Sequence, residues 1–230
     1  MSPDLIGALP APGHLAARVL PLSSEDVAAV ARSLTRRSSG FTTSRKNDAS
    51  IPWRVRTERD LMRILELDHG VISYEAMPEK VELVLDGKRY RVVPAIRAYT
   101  VRGPMVFDVL RSDADPSPAR AAVIRAVRDI YSHRGVRYAC LRPRQVRTEP
   151  RMTNVTYARS FKGIVPDDAS RLRILDLISL EGRSWTVATL REALGAEADG
   201  LFHLAMRRVL RLDLAAPEPT SMRVLFGEGS

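Results

Sequence analysis

The sequence predicts an α/β protein, with a mixed β-sheet flanked by helices and then a helical unit that ends in a β-hairpin. Two patterns in the 230 residues support this prediction. Residues 57–141 change between helical and strand periodicity in the order helix, several strands, helix, strand. Residues 170–226 contain three short helical patterns followed by two strand-like runs. We therefore expect an N-terminal arm and helix at 1–35, an α/β domain at 36–160 and a C-terminal domain at 161–230.

The N-terminal third begins with scattered Pro, Gly and Ala from Met1 to Leu22, which predicts an irregular arm. Ser24 is then placed to cap a short helix. The following Ser/Thr/Gly-rich segment, residues 36–54, is basic and predicts a loop that is either a phosphate-binding surface or a solvated linker. The candidate DNA-binding residues in it are Arg36, Arg37, Arg45, Lys46 and Arg54.

The first long helix is predicted after Thr57, because Leu61, Ile64 and Leu65 recur at helical spacing. Glu58 lies in the first turn of this helix. A carboxylate there either complements the helix dipole or points into a functional site, and its position alone favours the dipole.

Strands follow this helix. Asp86-Gly87 separates two alternating runs and predicts a hairpin, since these residues supply the positive φ angles of a two-residue turn. Two further strands flank Arg102-Gly103-Pro104. Ser117-Pro118 then opens a second helix that closes at Gly135, and a strand at 136–141 completes the sheet.

The C-terminal unit has the element order of a winged helix, three helices and two short strands. The third helix of such a module can enter a major groove, which would bring Arg207 and Arg208 near phosphates. Its early residues Leu201, Phe202 and Leu204 are apolar, however, and favour a docking surface for another protein.

The positive net charge of the chain indicates which kind of molecule it binds. The formal net charge is +9, and it comes largely from arginine, which matches phosphates and guanine edges well. Double-stranded DNA is therefore the expected partner, although a compositional bias of the genome can also produce arginine. No leader sequence and no apolar run of the roughly 20 residues that a membrane span needs is visible, so we expect a cytoplasmic protein without membrane contact.

The strongest functional motif is Pro94-Ala95 followed by Asp108-Val109-Leu110. Metal nucleases place one carboxylate at the start of a strand, and a second carboxylate and a lysine two residues apart on the next strand. That geometry aims the groups at one metal-bound water. In this chain Ala95 stands at the first carboxylate position and Leu110 at the lysine position.

These segments together resemble the TnsA family, the endonuclease subunit of heteromeric transposases. The resemblance implies a restriction-endonuclease-like PD-(D/E)xK core and a C-terminal winged-helix domain. It rests on the order and spacing of four segments, which are Ser44-Arg45-Lys46-Asn47, Thr57-Glu58-Arg59-Asp60-Leu61, residues 71–78 and residues 147–154. By this resemblance the helix carboxylate of the family falls on Glu58, its Pro-Asp on Pro94-Ala95 and its acid-or-Gln-x-Lys on Asp108-Val109-Leu110.

The resemblance and the two missing groups imply a pseudoenzyme. Glu58 and Asp108 remain as vestigial catalytic carboxylates, and each lost group removes about 2.7–4 kcal/mol of transition-state stabilisation by analogy with a preorganised donor. We expect a nuclease-deficient DNA-binding subunit of a transposition or DNA recombination complex, with no cofactor. Its partners by resemblance are a transposase and an AAA+ regulator. Two alternatives stay open: an active Mg²⁺-dependent endonuclease with a variant site, and a protein-only assembly adaptor.

Overall fold

The computed structural model describes residues 17–23, 25–27, 29, 39–180 and 184–227. They form a mixed α/β protein, as predicted. Arg36, Arg37 and Ser24 lie outside the described residues.

The elements follow one another along the chain with short connections. The strands are β1 (Ala17–Pro21), β2 (Gly40–Ser44), β3 (Ala49–Trp53), β4 (Val71–Ala76), β5 (Glu79–Leu85), β6 (Lys88–Val92), β7 (Ile96–Thr100), β8 (Gly103–Val109), β9 (Arg137–Leu141), β10 (Leu210–Leu212) and β11 (Val224–Phe226). The helices are α1 (Arg56–Leu67), α2 (Pro118–His133), α3 (Pro143–Val146), α4 (Arg151–Ser160), α5 (Asp168–Ser179), α6 (Val187–Leu194) and α7 (Gly200–Met206).

The central sheet has the strand order β4-β7-β8-β9. Its first two pairings are antiparallel and the β8–β9 pairing is parallel, which confirms a mixed sheet. The parallel strands are connected through α2, whose predicted start is also confirmed. Ser117 is the N-cap residue, and its hydroxyl accepts a hydrogen bond from the Arg120 amide at 3.3 Å.

A second sheet has the order β1-β5-β6. Its β5–β6 hairpin turns at Asp86 and Gly87, which both have positive φ, as predicted. The prediction of an irregular arm is wrong for Ala17–Pro21, which pairs with β5 as an antiparallel edge strand. An edge strand is fixed by the backbone hydrogen bonds of its neighbour, so it needs little periodicity of its own.

The predicted basic loop is also wrong in part, because most of residues 40–53 form the β2–β3 hairpin. Thr42 and Ser44 are buried while Phe41 and Thr43 are exposed, which is strand periodicity carried by polar residues. A search for alternating apolar residues misses such a strand. The turn of the hairpin contains Arg45 and Lys46 and lies against the end of α1.

The C-terminal unit contains α5, α6, α7 and the β10–β11 hairpin. One apolar cluster extends from Leu61 and Ile64 of α1 through Val155 of α4 to Phe202 of α7, so this unit shares a core with the preceding one. The two-domain division stays a prediction.

Helix α7 is buried within the chain. Leu201 and Phe202 have no exposed surface and Leu204 is 3% exposed. The prediction that these residues form a docking surface for another protein is therefore wrong, since their apolar side chains are needed for the chain's own core. Arg207 forms an ion pair with Asp48 at 2.7 Å, which holds α7 against the β2–β3 turn.

Among the helices described here, none combines the length and the apolar character needed to cross a membrane.

Candidate functional site

The predicted nuclease positions meet at one end of the central sheet. Ala95 lies directly before β7 and donates its amide to the carbonyl of Phe107 at 2.9 Å, so it is adjacent to Asp108 on β8. Glu58 reaches the same place from the first turn of α1. Burial, and to a smaller extent the nearby Glu58 charge, raise the pKa of the Asp108 carboxyl group. The structure therefore brings Glu58, Ala95 and Asp108 together.

The Glu58 carboxylate forms an ion pair with an arginine of the same chain. Arg54 donates its Nε to Glu58 Oε1 at 2.8 Å and its backbone amide to Oε2 at 2.6 Å. A second guanidinium nitrogen lies 2.7 Å from Oε1, and a third donates to the carbonyl of Val93 at 3.0 Å. Glu58 is only 3% exposed, so this forked pair is largely removed from solvent.

Asp108 is also buried, at 5% exposure. Burial raises the pKa of its carboxyl group, while the positive charges of Arg54 and Arg120 act in the opposite direction. Its Oδ1 accepts the amide of Val109 at 2.9 Å, and Oδ2 lies 3.3 Å from the Arg120 guanidinium. Both carboxylates of the site are thus balanced by arginines of this chain.

These residues do not fit a catalytic Mg²⁺ ion. Such an ion is bound through one or two free carboxylates in near-octahedral geometry. Here Ala95, 1% exposed, contributes a methyl group where the central carboxylate is expected, and Glu58 is already paired with Arg54. Leu110 supplies no ammonium group. Over the residues that the structure describes, no cluster of three or more His, Cys, Asp or Glu side chains could hold a metal ion.

Another carboxylate of α1, which the sequence patterns did not single out, organises the base of the β2–β3 hairpin. Glu66 has no exposed surface and accepts hydrogen bonds from the hydroxyls of Ser44 and Tyr74, each at 2.8 Å. It also accepts the backbone amides of Arg45 and Lys46. Its apolar surroundings along α1 are the signal that could have identified it, because a carboxylate among buried residues needs partners.

Two of the predicted DNA-binding residues have most of their side-chain donors occupied within the chain. The Lys46 ammonium donates to the carbonyls of Leu65, Asp68 and Val71 and so caps the end of α1. Burial lowers its pKa to about 8. The second is Arg54, described above. Arg45 is less engaged, donating one guanidinium nitrogen to the carbonyl of Lys162 at 3.2 Å.

Comparison with known proteins adds no assignment. The chain matches no protein-family model, and no curated protein matches it.

Proposed function

We propose that this chain is a nuclease-deficient, DNA-binding subunit of a transposition or recombination complex, similar to TnsA. In this proposal the central sheet is a restriction-endonuclease-like core, and the C-terminal helices with the β10–β11 hairpin are a winged helix. The observation that carries the proposal is the Arg54–Glu58 pair beside Asp108 and Ala95. In this proposal the site corresponds to a nuclease centre in which the Arg54 guanidinium supplies the positive charge of a metal ion but not its chemistry.

DNA binding is supported by the charge of the chain. The net charge of +9 attracts a polyanion, and phosphate contacts supply most of the sequence-independent affinity of such proteins. Because α7 is buried, this third helix of the C-terminal unit is not free to read bases in the way the recognition helix of a winged helix does. We therefore propose binding through the backbone, with sequence choice left to the transposase and AAA+ partners that the resemblance implies.

The proposal is tested with the purified chain and a supercoiled plasmid. We expect binding in EDTA that weakens steeply with salt, and no nicking with Mg²⁺ or Mn²⁺. Metal-dependent nicking that disappears in both Glu58→Ala and Asp108→Ala would favour the active endonuclease. Absence of binding even at low salt would favour the protein-only adaptor, in which the arginine content reflects composition alone.

A further inference from the structure

We infer that the groove between α1 and α4 is the surface that binds the phosphate backbone of double-stranded DNA, an inference that rests on the DNA-binding function proposed above. The groove has a volume of about 180 Å³. Its lining residues are Arg63, Thr156, Arg159, Ser160 and Lys162.

The α1 side of the groove carries more positive charge than its acid can balance. Asp60 is 4% exposed and accepts hydrogen bonds from Arg59 at 3.0 Å and from Arg147 at 2.8 Å. Arg63 is left 3.8 Å from the same carboxylate. Burial and the charges of Arg59 and Arg159 lower the pKa of Arg63, against the opposing effect of Asp60. An external anion would relieve this crowding of guanidinium groups.

The α4 side adds cations without carboxylate partners. Arg159 donates to the Thr42 hydroxyl at 3.3 Å and to the Thr43 carbonyl at 3.4 Å, which are neutral acceptors. Within the described ranges neither Arg159 nor Lys162 forms an ion pair. Arg45 reaches the same end of the groove through the Lys162 carbonyl. Arg45, which the sequence predicted to bind phosphate, therefore lies beside the α1–α4 groove.

The chemistry of the lining favours a nucleic-acid backbone over a protein. All five lining residues are polar, whereas the centre of a protein interface is built on aromatic or aliphatic anchors in pockets. The volume is also smaller than the 300–1,000 Å³ that is typical of small-molecule sites. Thr156 and Ser160 lie one helical turn apart beside the guanidinium groups, and both hydroxyl and guanidinium groups commonly contact phosphate oxygens.

The test compares two double variants that remove the same charges, one arginine and one lysine each. Arg159→Gln/Lys162→Gln changes the groove, and Lys88→Gln/Arg89→Gln changes exposed positions of β6. Binding of a fluorescent mixed-sequence duplex is titrated with salt. Each lost phosphate contact reduces the slope of log affinity against log salt by about 0.9, so we expect a reduction of roughly 1.8 for the groove variant. The β6 variant should keep the wild-type slope.

Equal reductions in both double variants would overturn the inference and leave the proposed DNA binding intact, because affinity would then follow net charge alone. Failure of the wild type to bind duplex DNA would instead reject the proposed function. Ser160→Glu gives an independent check that leaves every cation in place, and we expect at least a tenfold loss of affinity with unchanged thermal unfolding. Unchanged affinity in Ser160→Glu, or stronger competition by duplex RNA than by duplex DNA, would also contradict the inference.

Discussion

At the first turn of α1, Glu58 pairs with Arg54, and the neighbouring Asp108 of β8 pairs with Arg120. Farther along the same helix, Arg63 instead faces Arg159 and Lys162 across an open groove. The first region is buried and its charges are balanced internally. The second is accessible and has an excess of positive charge. Helix α1 therefore contributes both to a buried site whose charges are paired within the chain and to an accessible groove with excess positive charge.

This difference shows where the charges of the chain are balanced internally and where they are not. A buried carboxylate pair is costly to maintain, and it persists here only because arginines replace the solvent and any metal. In the groove one carboxylate, Asp60, is shared by three arginines, so an external anion would stabilise the remaining positive charge. In the proposed function the closed site corresponds to a nuclease centre, and the uncompensated charge of the groove is what favours it as the DNA-binding surface.

The largest effect is expected on removing the internal cation. Arg54→Met removes the guanidinium partner of the buried Glu58 and keeps only the backbone amide, so it should reduce the free energy of unfolding by about 3–5 kcal/mol. Arg56→Met is the matched control, because Arg56 is exposed and close in sequence, and it should stay within about 0.5 kcal/mol of wild type. Urea unfolding measures both. A loss below 1 kcal/mol in Arg54→Met would show that the closed site is not held by this ion pair.

A smaller effect is expected at Lys46, which lies at the C-terminal end of α1. Lys46→Met deprives three carbonyls at the end of α1 of their donor, and we expect a loss of about 1–3 kcal/mol in stability. The slope of DNA affinity against salt should hardly change, whereas Arg45→Ala should reduce it by about 0.9. The reverse pattern would return Lys46 to the DNA-binding surface.

The pH dependence of Lys46 gives a second measurement. Its folded pKa of about 8 lies below the unfolded value of 10.5. Between these values the unfolded chain binds more protons, so this group makes wild-type stability rise as pH increases from 8 to 10.5. The difference in unfolding free energy between wild type and Lys46→Met should follow that rise. A constant difference would mean that the ammonium is not buried.

The smallest expected effect is at Asp108. Because burial raises its folded pKa, the folded chain keeps the proton that the unfolded chain releases, and stability falls as pH rises above the unfolded value of 3.8. Asp108→Asn removes this penalty and should raise the midpoint of thermal unfolding at pH 7 by about 2–4 °C. The gain should shrink towards pH 4. A lower midpoint at pH 7 would indicate that Asp108 stabilises the fold as an anion.

Sequence patterns predicted the elements whose signals are local. The Asp86-Gly87 turn and the Ser117 cap each act within a few residues, and both are confirmed. The β2–β3 hairpin escaped prediction because its buried residues are polar and depend on Glu66, more than twenty residues away from Ser44. A burial pattern that is satisfied by a distant carboxylate has no apolar signature.

The candidate site was predicted only in part, because some of its contacts have local sequence signals and others do not. The spacing of Ala95, Asp108 and Leu110 identified the two strands, and Glu58 was assigned by resemblance. The four-residue spacing of Arg54 and Glu58 is an ordinary ion-pair spacing, so sequence alone gave no sign that this pair would close the site. The α1–α4 groove depends on contacts between helices far apart in the chain and could not be predicted at all.

The central claim is that the Arg54 guanidinium pairs with Glu58 where the proposed nuclease resemblance would put a metal ion. It is tested most directly by Mn²⁺ binding followed by electron paramagnetic resonance. Ala95→Asp/Arg54→Met is the positive control, since it restores a carboxylate and removes the competing cation. We expect a bound Mn²⁺ ion in this variant and none in the wild type. A single tightly bound Mn²⁺ in the wild type that is lost in Asp108→Ala would contradict the account.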